Sequence, residues 1–104
     1  MTVKFSQATK DTIASITPGG LIGKNVRIDG KRTSVRLESE MWDALHEISE
    51  IELCTIHDLC TAVNSVRDEA TSFTAALRVF LMQYYRTAAM TDHKVNLVRR
   101  RLRA

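Results

Sequence analysis

Lys31-Arg32-Thr33-Ser34-Val35-Arg36-Leu37 is the stretch that decides how this chain folds. Thr33, Val35 and Leu37 alternate with Arg32, Ser34 and Arg36, the period of two expected of a β-strand that buries one face and shows the other. One face is apolar and the other is made for polar contact. Ser39 followed by Glu40 reads as a helix N-cap with an acid in the first turn, so the strand ends there.

Beyond the strand the period changes to that of a helix. Met41, Trp42, Leu45 and Ile48 predict an amphipathic helix to about Ile51, with Asp43, Glu47 and Glu50 on its outer face. Thr55 and Asp58 have the spacing of a capping box, and Ile56, Leu59, Cys60, Val63 and Val66 form the stripe of a second helix. Ser72 caps a third, carrying Phe73, Ala76, Leu77, Phe80, Leu81 and Tyr84 on one face. On the N-terminal side, Asn25-Val26-Arg27-Ile28 alternates briefly before Asp29-Gly30, a dipeptide that favours a tight hairpin turn. Residues 25–28 either pair back as a hairpin, setting Arg27 across from Arg32, or run on as an arm. The organisation is an N-terminal arm or linker (1–24), with a short helix around Lys10 to Ile16 and a break at Thr17-Pro18-Gly19-Gly20, a folded region (25–89) and a basic tail (90–104).

The 104 residues carry a net charge of +3, and its distribution says more than the sum. Lys24 to Arg36 holds five basic residues and one acid, Asp29, whereas Glu38 to Asp58 holds seven acids and neither lysine nor arginine. Lys94 to Arg103 is basic again, and such segregation presents positive regions to a polyanion and an acidic shoulder away from it. With no secretory pattern and no apolar span, the expectation is a cytoplasmic protein, off the membrane, with Cys54 and Cys60 reduced. Cys54, His57, Cys60 and His46 offer metal-ligand types, but spacing of three around a helix start spreads them over about 200°, and Cys60 already belongs to the apolar stripe. No metal, cofactor or catalytic constellation is expected, so nothing supports an enzyme and none is expected.

A lone seven-residue strand leaves its ladder groups open, so it needs a partner strand. If that strand is its own copy in a second chain, the antiparallel pair is two-fold symmetric and Arg32, Ser34 and Arg36 stand up in duplicate. The major groove admits such a ribbon, where arginine can donate twice to guanine.

The run Lys31 to Glu38, with Met41-Trp42-Asp43-Ala44-Leu45 and Ser72-Phe73-Thr74-Ala75-Ala76-Leu77-Arg78-Val79-Phe80-Leu81, resembles the ribbon-helix-helix superfamily of repressors, in particular a short bacterial subfamily with a third helix. The likeness spans about residues 26 to 88. It implies a mainly α fold with one short β-ribbon, a homodimer with an intermolecular antiparallel two-stranded ribbon, and an additional C-terminal helix. It further implies sequence-specific double-stranded DNA binding, base reading by Arg32, Ser34 and Arg36, and a phosphate clamp at Thr55, Ile56 and His57, with Arg27 and Lys31 adding phosphate contacts. The start of a helix is also an anion site on physical grounds alone. The superfamily often has glycine between the two helices, where this chain has Glu52-Leu53-Cys54. The alternative function is an antitoxin-like module whose third helix and tails bind a partner protein.

Overall fold

The structure, a computed structural model, describes residues 3–16 and 18–102, with side chains as far as residue 91. Asp29 and Gly30 turn the chain back on itself with positive φ, 51° and 78°. A two-residue hairpin loop of matching twist needs this at both positions, and glycine adopts it without steric cost. The loop joins β1 (Ile22–Ile28) to β2 (Lys31–Leu37) in an antiparallel pair, with Ile28 opposite Lys31 and Ile22 opposite Leu37. Alternation then does what the sequence pattern requires: Val26, Ile28, Val35 and Leu37 are buried on one face, and Arg32, Ser34 and Arg36 are exposed on the other.

Three helices follow the ribbon, and their apolar stripes cover its inner face. α2 (Ser39–Ile51) buries Trp42, Leu45 and Ile48, α3 (Ile56–Val66) buries Cys60 and Val63, and α4 (Phe73–Leu102) adds Leu77 and Leu81. Burial pushes the Cys60 thiol up to about 11, as expected of an inert core cysteine. Trp42, only 2% exposed, donates its indole N–H to the Ile22 carbonyl at 2.8 Å, so its polar atom is satisfied while its ring fills the core. α4 is tied to the start of α2 by Arg78 and Glu38, 3.1 Å apart and partly exposed.

The helix ends show how local sequence sets the elements. Glu38, one residue before the expected Ser39, is the N-cap of α2, and its side chain makes no capping hydrogen bond. The Thr55–Asp58 capping box is present in full: Thr55 Oγ1 accepts from the Asp58 N–H at 3.1 Å, and Asp58 Oδ2 accepts from the Thr55 N–H at 3.0 Å. Between α2 and α3, Leu53 takes the left-handed conformation (φ 54°) that the missing glycine would have filled. The Cys54 N–H then reaches back to the Ser49 carbonyl at 3.0 Å, closing the helix end. Before the ribbon, α1 (Gln7–Ala14) lies a little earlier than the helix expected around Lys10 to Ile16 and buries none of its residues. α4 runs past residue 89 to Leu102, so the backbone of the expected tail is helical over 90–102, while the side chains of Arg99, Arg100 and Arg101 lie outside the described residues.

The fold class agrees with the sequence reading: a mainly helical chain with a two-stranded antiparallel ribbon and an extra C-terminal helix. Residues 25–28 take the hairpin alternative, with β1 pairing along one edge of β2 in the same chain. The Asp29-Gly30 turn, a loop of two residues, closes this pairing locally and satisfies one edge of β2.

Candidate nucleic-acid interface

The hairpin register decides which side chains share the outward face. Arg27 lies opposite Arg32, Asn25 opposite Ser34 and Gly23 opposite Arg36. Three arginines, an asparagine and a serine therefore occupy one exposed surface. Asn25, with its amide oxygen turned toward Arg32, accepts from Arg32 Nε at 3.1 Å and Nη2 at 2.9 Å, which steadies the guanidinium from the neighbouring strand. Asn25 was not legible as a site residue until the turn fixed its register. Its only sequence signal was sharing the parity of Arg27.

The outer edge of β1 is fastened to α3. The Arg27 N–H donates to His57 Nδ1 at 2.9 Å, the Asp29 N–H donates to Thr61 Oγ1 at 3.2 Å, and Thr61 Oγ1 lies 3.5 Å from the Arg27 carbonyl. His57 thus accepts through Nδ1, which places its proton on Nε2. Because the Arg27 backbone groups point away from β2, its pairing with Arg32 is of the closer, non-hydrogen-bonded kind, and two like charges face each other across the ribbon. Asn25, Arg27, Gly30, Arg32 and His57 bound a polar cleft of about 630 Å³ at this end of the hairpin.

The other expected phosphate contacts are placed less uniformly. At the start of α3 the backbone N–H groups of Ile56 and His57 have no hydrogen-bond partner among the described residues, whereas that of Thr55 is spent on Asp58. Hydrogen bonds from the Thr55 backbone and side chain hold the Asp58 carboxyl below the usual range, which keeps a negative charge beside this helix end. Lys31 falls on the helix-side parity of β2, beside Asn64, Arg67 and Phe73, and so is separated from Arg27 and Arg32. Among the described residues no group of acids, histidines and cysteines is arranged to hold a metal. No described helix is long and apolar enough to cross a membrane.

A ribbon with a cationic outward face, backed by a pair of helices joined through a short turn, defines the class of ribbon-based DNA-binding regulators. Residues 21–85, more than half of the chain, match the model of the ribbon-helix-helix domain, and the chain belongs to that family. It is also similar to the solved structure of an uncharacterized protein from Bordetella pertussis Tohama I. The two are 28% identical with a TM-score of 0.65, over 83% of this chain and 74% of that one. No curated protein matches it.

Proposed function

We propose that the chain is a homodimeric, sequence-specific double-stranded DNA-binding protein, a transcriptional repressor of a bacterial cytoplasm. The observation that carries this reading is the gathering of Arg27, Arg32, Ser34 and Arg36 on one exposed face of the ribbon. Facing cations weaken a ribbon unless an anion lies over them, and the major groove provides both phosphates and guanine acceptors. Arg32, Ser34 and Arg36 read base edges. Phosphates are taken by the N–H groups of Ile56 and His57 at the start of α3, with Thr55 shaping that helix end and Arg27 and Lys31 adding charge.

Fluorescence titration against genomic fragments at two salt concentrations tests the reading. Preferred fragments should emerge, and an Arg32→Ala, Arg36→Ala double variant should lose the preference. Equally weak binding to every fragment, unchanged in the double variant, rejects it. A second reading, an antitoxin-like module that holds a partner protein on the third helix, is favoured by one observation: Val79, Met82 and Met90 of α4 are exposed. A stoichiometric protein complex lost on Val79→Asp, Met82→Asp, with DNA titrations unchanged, distinguishes it.

A further inference from the structure

α3 meets the edge of β1 with two polar side chains four residues apart, His57 and Thr61, which therefore share one side of the helix. His57 Nδ1 accepts the Arg27 N–H at 2.9 Å. Thr61 Oγ1 accepts the Asp29 N–H at 3.2 Å while lying 3.5 Å from the Arg27 carbonyl. The backbone of Arg27 and the entry to the Asp29-Gly30 turn are thus held by groups 30 to 34 residues away in sequence. Burial of Val26 and Ile28 keeps the hairpin on the helices, but apolar burial has no direction and does not fix where the strand lies along them. Hydrogen bonds do fix it, because they weaken steeply once donor and acceptor lose alignment.

We propose that His57 and Thr61 are positioning residues, whose side chains lock the hairpin to α3 so that the outward arginines and the start of α3 move as one piece, and that this lock sets base discrimination. It rests on the DNA reading above and adds what governs its accuracy. His57 stands at the junction: its ring holds Arg27, while its own N–H at the start of α3 has no partner among the described residues. From Arg27 the position passes to Arg32, directly opposite, whose guanidinium is held by the Asn25 amide oxygen at 2.9 and 3.1 Å. An arginine reads guanine by two hydrogen bonds at once. A ribbon free to slide against an anchored helix loses the second of these before it loses contact. Discrimination then falls, while attraction to a polyanion, which depends on charge more than on alignment, remains.

Two measurements on the full chain test the lock, the first without DNA. In amide hydrogen exchange the Arg27 and Asp29 N–H groups should be protected in the native chain. His57→Ala should release the first and Thr61→Val the second, with the amides of Leu45 and Val63, both buried, unchanged as a control for folding. His57→Asn, which offers an amide oxygen in place of Nδ1, and Thr61→Ser, which keeps the hydroxyl, should restore protection. The second measurement is fluorescence titration against a preferred duplex and one with its bases scrambled. Thr61→Val should lower the ratio of the two affinities about tenfold, as loss of one well-placed arginine–guanine pair would, and bind the scrambled duplex as before. His57→Ala should lower the ratio too, and the Asn and Ser variants should recover it. Arg27 and Asp29 amides that exchange freely in the native chain overturn the lock. Amides released by His57→Ala and Thr61→Val with the ratio unchanged overturn its part in discrimination. A native chain with protected amides that prefers no sequence fails on the DNA reading, which removes the discrimination and leaves the lock standing, so the failures are distinguishable.

Discussion

Leu53 holds a conformation that side chains avoid, with φ of 54°, and it gains nothing by burial, being 92% exposed. A left-handed backbone costs a residue with a Cβ about 1–2 kcal/mol relative to glycine, partly offset by the greater freedom of an unfolded glycine. Leu53→Gly is therefore expected to stabilise the fold by about 1 kcal/mol, read as a raised denaturation midpoint with an unchanged slope. The capping box two residues on makes the opposite case. Thr55→Ala should cost about 1 kcal/mol, because it strips the start of α3 of its side-chain acceptor. Asp58 adds a pH dependence whose sign follows from its depressed pKa. Its contribution is fully present above the ordinary aspartate value near 3.8 and is lost as pH falls through the lower folded value. An Asp58→Asn variant should then lose part of the acid-side slope of the stability curve between neutral pH and the most acidic conditions, and chemical denaturation at a series of pH values checks this.

At the level of elements, β1 and α1 make opposite claims on the fold. α1 buries no residue, so removing residues 1–20 should leave the unfolding midpoint where it is. Removing residues 1–28 takes away Val26 and Ile28, the partner of β2, and the carbonyl that holds Trp42, and should leave no cooperative transition. The outcome hinges on a strand that the sequence showed only in part. Asn25 to Ile28 alternates clearly, but Ile22, Gly23 and Lys24 carry no apolar-polar rhythm, and their strand character comes from pairing across the turn. β2, the three following helices, the Thr55 capping box and the cysteine in the core were all legible, because each rests on periodicity or on a local hydrogen bond. The hairpin was one of two readings of residues 25–28, and the role of Asn25 was not legible, since it depends on register, which a strand lacks until its turn is known. Leu53 escaped for a related reason: the closing hydrogen bond from Cys54 to Ser49 imposes its conformation against its own preference.

For the whole molecule, the hairpin separates folding from assembly. The apolar faces of both strands, Val26, Ile28, Val35 and Leu37, are covered by helices of the same chain, together with Trp42, Leu45, Ile48 and Leu77. A chain that closes its core and one edge of β2 within itself should stay folded when diluted below the concentration at which copies pair, whereas one that needs a second copy for its core would unfold. The single tryptophan reports on this directly, because Trp42 is buried in that core. Its emission is expected to remain blue-shifted from micromolar to nanomolar protein, and unfolding by urea should show a midpoint nearly independent of concentration. DNA binding follows a different rule if the reading surface needs both copies of Arg32, Ser34 and Arg36. Over the same dilution, titration of a short duplex should become second order in protein, with two chains entering together while the tryptophan signal of the free chain is unchanged. A red shift of the emission on dilution would show that the core depends on a second copy. First-order binding of one chain per site would show that one hairpin suffices to read DNA.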